Sequence, residues 1–340
     1  MRKNFFYTWL MVIMALLIVS CSDDDDDDDL YGNWIKKGSF EGIPRSDAVS
    51  FTIGDYAYVG TGYNGDEDER LTDFWRYNAE KDAWDSTSVA QFPGVGRNSA
   101  VAFSAAGKGY VTTGFDGKNK LKDLWEYDPE ANAWTQKADF PGSGRYDAIA
   151  FTVNDIGYVG TGYDGNLLKD FYKYDPSTNT WEKVTSIGGS KRRNGTAFVI
   201  NDLAYVCMGT DNGEYLGDLW EYDADTDTWT EKRKIANDAN EDESYDDDYE
   251  IVGVYASAFT TGGLGYVATG GPGYPGVRTW EYDPSTDLWT ERSEFEGSAR
   301  YGAVAFTLND VPFVGTGRSS SAYFDDVYKF DPNAEQDDND

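Results

Sequence analysis

Short runs in which small or apolar residues alternate with polar ones succeed one another from residue 33 onward, broken by Gly, Asp-Pro and Asn-Asp. The stretch from 99 to 137 shows the unit. Ser99–Phe103 (SAVAF) and Gly109–Gly114 (GYVTTG) are small and apolar, whereas Asp123–Tyr127 (DLWEY) and Ala133–Lys137 (AWTQK) set large aromatics among polar residues. Ala106-Gly107, Asp116-Gly117 and Asp128-Pro129 separate these runs. They are turn residues, because Gly accepts positive φ while Asp and Pro pre-form the bend. No part of residues 33–331 sustains the i, i+3, i+4, i+7 apolar spacing of a helix. The pattern predicts four short strands per unit, each unit a small antiparallel sheet.

The unit recurs. Tyr127-Asp128-Pro129 precedes Trp134, Tyr174-Asp175-Pro176 precedes Trp181, and Tyr282-Asp283-Pro284 precedes Trp289. Tyr222-Asp223 with Trp229 and Tyr77-Asn78 with Trp84 are looser copies. The fourth-strand tryptophans fall at 34, 84, 134, 181, 229 and 289, at intervals of 50, 50, 47, 48 and 60. Four strands in about fifty residues is the size of a propeller blade. Of the 11 tryptophans only Trp9 lies off a repeat position, which assigns the others to packing between blades. With a glycine pair after the second strand, loosened to Gly60-Thr61-Gly62, Gly160-Thr161-Gly162 and Gly315-Thr316-Gly317, the chain resembles the Kelch-repeat family over residues 33–331. The last copy stops at Asp331-Pro332 without its tryptophan strand, and Asn33–Lys37 is a tryptophan strand without a blade. The expected fold is therefore all-β: a six-bladed β-propeller of four-stranded antiparallel Kelch-like blades, closed by the N-terminal strand completing blade six.

The ends read differently. Arg2 and Lys3 precede an apolar run, Phe5–Val19, which has the layout of a secretory signal peptide over residues 1–20. Ile18-Val19-Ser20-Cys21 resembles the bacterial lipobox, and that resemblance implies a diacylglycerol on Cys21 and an acyl chain such as palmitate on its amino group. Asp23–Asp29 is a run of seven like charges, so residues 21–32 are expected to be a solvated tether. The run resembles the acidic signal of surface-exported lipoproteins, and the expected location is the outer membrane, exposed at the cell surface. Residues 332–340 read as an acidic tail. The membrane is expected as a partner through the lipid alone. Nucleic acid is not expected, because the formal charge is −32. Cys207, the second of two cysteines, lies in an apolar run and reads as a core residue.

Function is expected on one face. First and third strands run the same way, so the loops entering first strands and those joining second to third strands share a face, called upper below. The longer loops lie there: 63–69, 271–276, 319–324 and the acidic insertion 237–250. An arginine stands six residues before each first-strand phenylalanine: Arg45, Arg97, Arg145, Arg192 and Arg300. An aspartate stands four residues before each third-strand aromatic: Asp73, Asp123, Asp170, Asp218 and Asp326. Blade five has Gly253 and Arg278 in these places. The two sets read either as repeated structural ion pairs or, for the arginines, as a positive mouth for an acidic ligand. Tyr63, Phe115 and Tyr163 share one place after the second strand and are further ligand candidates.

The chain has no histidine, which removes Ser-His-Asp catalysis, the usual zinc sites and the copper chemistry of galactose oxidase, itself a Kelch-type propeller. No catalytic residue, metal or cofactor is assigned, and the Asp-Gly loops do not match the spacing of a calcium loop. The expected function is a non-enzymatic binding scaffold for a protein or glycan. The alternative is a sugar mutarotase or epimerase, since sialic-acid mutarotases are six-bladed Kelch proteins.

Overall fold

The computed structural model describes residues 30–236 and 251–337. The leader, Cys21, the aspartate run and the insertion 237–250 lie outside the described residues. The strands form six four-stranded antiparallel sheets and two two-stranded ribbons within loops, and no helix occurs among the described residues. Blade one shows the plan: Val49–Ile53, Tyr56–Gly60, Phe74–Asn78 and Ala83–Asp85, in that spatial order. The six first strands neighbour one another around the axis, and the fourth strands lie outermost.

One cross-strand pair explains how each blade is built. The first-strand phenylalanine lies opposite the second-strand tyrosine, as Phe51 does Tyr58, and their rings stack at 5.1 Å. The same stack recurs at Phe103–Tyr110, Phe151–Tyr158, Phe198–Tyr205 and Phe259–Tyr266, and as Phe306–Phe313 in blade six. Each stack meets the outer strands of the next blade. Phe51 touches Tyr127 and Trp134, and Phe151 touches Tyr222 and Trp229. The tryptophan also fastens the linker before its blade, as when Trp134 Nε1 donates to the Ala90 carbonyl at 2.8 Å. Aromatics are used because each ring covers much apolar area and still offers one polar edge.

Blade six is completed from the other end of the chain. Tyr31–Lys37 pairs antiparallel with Val327–Glu335, with Trp34 opposite Phe330. The seam is longer than the pattern indicated. It begins at Tyr31 and runs to Glu335, so residues 332–335, read as tail, belong to a strand. Their backbone pairs with the closing strand, which alternation of side chains alone did not reveal. Second strands end earlier than expected, at Thr112 rather than Gly114, because Thr113 and Gly114 have φ of 63° and 101° and leave the extended region.

Candidate functional site

The five repeated arginines are not a mouth. Each is 0% exposed. Arg97 Nη1 and Nη2 donate to Asp123 Oδ1 and Oδ2, both at 2.7 Å, and Nη1 also donates to the Thr113 carbonyl. Arg45–Asp73, Arg145–Asp170 and Arg300–Asp326 repeat this fork, while Arg192 reaches Asp218 through one nitrogen, at 2.6 Å. The guanidinium planes of Arg45, Arg97, Arg145 and Arg300 lie on Phe40, Phe92, Phe140 and Phe295. The ligand assignment of these five is therefore corrected: their guanidinium groups are buried and bonded to carboxylates and carbonyls, with only the Arg192 Nε left without a partner among the described residues.

Two backbone belts anchor this layer. The amide that follows each Gly-Thr or its equivalent donates to the carbonyl at the next blade's arginine position: Gly62 to Arg97, Gly114 to Arg145, Gly162 to Arg192, Gly209 to Gly253, Gly270 to Arg300, and Gly317 to Arg45. Nearer the axis a second belt runs through Asp47, Ser99, Asp147, Asn194, Tyr255 and Gly302, each amide donating to the carbonyl of its neighbour at 2.8–3.2 Å. All six have φ between 52° and 62°. Asp, Asn and Gly suit that left-handed backbone, whereas Tyr255 is held there by the ring around it.

The inner belt lines the channel mouth, where charge becomes unusual. Asp147 is 8% exposed. Burial first, and then the charge of Asp47, push its carboxyl up to about 7. Asp47 is also raised by burial, against the pull of the Ser46 hydroxyl and Arg318. With its amide nitrogen turned to the carboxylate, Asn194 donates to both Asp147 oxygens at 2.8 and 3.0 Å and accepts from the Tyr255 hydroxyl. Arg193 Nη1 stands 3.9 Å from Asp147.

Around the mouth lies an aromatic rim with interleaved arginines. Arg70 packs on Tyr63 and Phe115, Arg193 on Tyr163, and Arg318 on Tyr301 and Tyr323. Phe115 meets Tyr146, Tyr146 meets Tyr163, and Tyr255, Tyr274 and Tyr301 form a mutual cluster. On the side of blades three to five the rim opens into a cleft of about 470 Å³ walled by Tyr146, Tyr163, Arg193, Tyr215 and Tyr274. The Gly273 amide donates to the Tyr215 hydroxyl at 2.8 Å and ties the two loops together. Tyrosines beside a guanidinium can stack on a sugar ring, hydrogen-bond its hydroxyls and pair with a carboxylate.

Of the aromatic candidates, Tyr163 lines this cleft; Tyr63 and Phe115 lie elsewhere on the rim. Tyr146, Arg193, Tyr215, Tyr274 and Asp147 were missed. For Tyr146 and Arg193 the signal was variation: the residue after the repeated arginine position reads Ser46, Asn98, Tyr146, Arg193, Val254 and Tyr301. Among the described residues no group of three or more His, Cys, Asp or Glu gathers to hold a metal. Cys207 is buried, and its thiol is pushed up to about 12 by that burial.

The family description "KLHDC2/KLHL20/DRC7 Kelch-repeats domain" matches residues 37–209, and "Kelch motif" matches 191–234. Two curated proteins named N-acetylneuraminate epimerase are similar over short stretches. That of Pasteurella multocida is 40% identical over 89 residues, and that of Yersinia enterocolitica 32% over 94. Each stretch covers 25% of this chain and 22% of the relative, so the match spans about a fifth of their length. The solved structure of YjhT superposes with a TM-score of 0.67 at 17% identity, covering 84% of this chain and 95% of that one, which shows the shared fold.

Proposed function

This chain belongs to the Kelch-repeat family of β-propellers, and on that premise we propose that it is a glycan-binding propeller held outside the cell by a lipid on Cys21, with its upper-face cleft taking an acidic sugar. One observation carries the reading: a chain of net charge −32 places Arg193 among four tyrosines in a cleft of sugar size. The names of the two relatives, which refer to N-acetylneuraminate, supply the acidic sugar to try first.

Titration calorimetry of residues 30–340 with N-acetylneuraminate tests it. Binding is expected to weaken at least tenfold in Arg193→Ala and to fall with salt, as a charge-assisted contact does. Equal binding by wild type and Arg193→Ala would sink the reading. For the anchor, Cys21→Ala is expected to leave the membrane fraction or remain unprocessed; normal cleavage with unchanged membrane retention would count against it.

Asp147 favours a second reading, interconversion of sugar anomers or epimers. A carboxyl poised near neutrality can both take and return a proton, and Arg193 links it to the cleft. Accelerated anomer exchange by NMR that is lost in Asp147→Asn would establish this reading. An unaccelerated rate would leave the protein a binder.

A further inference from the structure

In five blades the space under the upper face is filled by the arginine and its aspartate. Blade five has Gly253 and Arg278 there, and Arg278 is exposed instead of filling the space. No arginine could be added back without moving the backbone, because a Cβ on Gly253 would lie 2.6 Å from Gly271 Cα. The carbonyls of Thr61, Thr113, Thr161, Met208 and Thr316 each accept from the arginine of their blade, and at the corresponding position blade five has Gly253, which has no side chain to reach Thr269. Beside this position lies a cavity of about 350 Å³ with Met208, Val252, Val267, Val277 and Trp280 on its apolar side and Arg278 and Glu294 also in its lining.

The cavity adjoins the tyrosine cleft. Tyr274 lines both and stands between them. It is 44% exposed, with φ of 74°. A bulky residue in that region is a strained outlier, of the kind that marks positions under functional constraint. Pro272 and Pro275 stiffen the loop that presents it.

We infer that the apolar side of the cavity beside the missing blade-five arginine is a subsite that receives an aryl substituent of the sugar bound in the cleft. The inference rests on the acidic-sugar reading, and it makes the preferred ligand a substituted glycoside rather than a free sugar. The polar end of the ligand lies with Arg193, and the apolar end passes Tyr274 to reach Val252 and Val277.

The test compares the methyl and phenyl glycosides of N-acetylneuraminate on residues 30–340 by calorimetry. The phenyl glycoside is expected to bind at least tenfold more tightly. Val252→Trp and Val277→Trp fill the cavity from two sides and are expected to abolish that advantage while leaving the methyl glycoside's affinity unchanged, with melting curves confirming that each variant folds. Equal affinity of the two glycosides for wild type, or an advantage that survives in a folded filled variant, overturns the subsite and leaves the cleft standing. Absence of binding by both glycosides overturns the cleft reading and the subsite together.

Discussion

Arg97 and Asp123 show how a charge becomes structural in this fold. Burial pulls the Asp123 carboxyl upward, but the hydrogen bonds and charge of Arg97 outweigh it, aided by the Trp125 N–H, and the net shift is down. Removing either partner strands the other, so Arg97→Ala is expected to cost about 3–5 kcal/mol in denaturant melts. Asp123→Ala should cost at least as much, because it strands a fully buried guanidinium whereas Arg97→Ala leaves a partly exposed carboxylate, and the double variant should cost less than the sum. Additive losses would show that the two do not share one interaction. Asp147 has the opposite sign. Its carboxyl is raised to about 7 from the ordinary carboxylate range near 4, so its contribution to stability is full below that range and is lost as pH rises through 7. The share of stability that depends on Asp147 should fall between pH 4 and 7, so the melts of wild type and Asp147→Asn should diverge over that range, with the variant gaining about 2–4 kcal/mol relative to wild type by pH 8. A constant difference between wild type and Asp147→Asn across that range would show that Asp147 does not titrate there. The Arg–Asp register was legible in the sequence because it repeats. Asp147 was not, because its neighbours come from other blades: Asp47 lies 100 positions away in sequence, and the inner belt is visible only when the ring is closed.

The strands themselves were legible because each blade repeats one set of physical requirements. A phenylalanine must face a tyrosine across the first two strands, and a tryptophan must cover that stack from the next blade. Strand ends were less so. Thr61, Thr113 and Thr161 have β-forming side chains yet sit at φ of 57°, 63° and 59°, because the following glycine must reach the next blade's carbonyl. At Gly62, φ is 95° and a Cβ would press on Ser46 O at 2.9 Å and on Ala48, so backbone geometry overrides side-chain preference there. Trp34 brings the same logic to the closing strand. It is fully buried, meets Phe295 edge-on at 4.9 Å and Phe330 at 4.6 Å, and donates to Thr279 Oγ1. Trp34→Ala is expected to cost about 3–5 kcal/mol, the usual price of truncating a large core aromatic. Trp34→Phe should recover part of the loss, since it restores ring contacts but not the hydrogen bond. A melt of Trp34→Ala within 1 kcal/mol of wild type, about the precision needed to resolve a core effect, would show the strand to be loosely held.

At the scale of the whole molecule, six blades are held by closure. Both belts consist of six hydrogen bonds that return to their start, so each blade is tied to two neighbours at the upper face. The two ends of the ring meet at the strands Tyr31–Lys37 and Val327–Glu335, whose pairing bridges them. The number of blades could be counted from the tryptophans, and the join could be deduced from an orphan strand at each end. The upper-face cleft could not, because it depends on which variable residues meet across blades three to five. Closure makes a prediction that differs from the Trp34 substitution. Trp34→Ala keeps the backbone ladder and loses packing. Deleting residues 30–38 loses the ladder too and exposes the unpaired edge of Val327–Glu335, which a second chain can then use. The deletion should therefore destabilise by more than Trp34→Ala, lose a single cooperative transition because blade six can open alone, and self-associate in light scattering as concentration rises. Opening of blade six alone should spare any ligand binding at the proposed cleft, since that cleft belongs to blades three to five. A deletion variant that stays monomeric and melts in one transition at the temperature of Trp34→Ala would show that the ring is held by its belts without the seam.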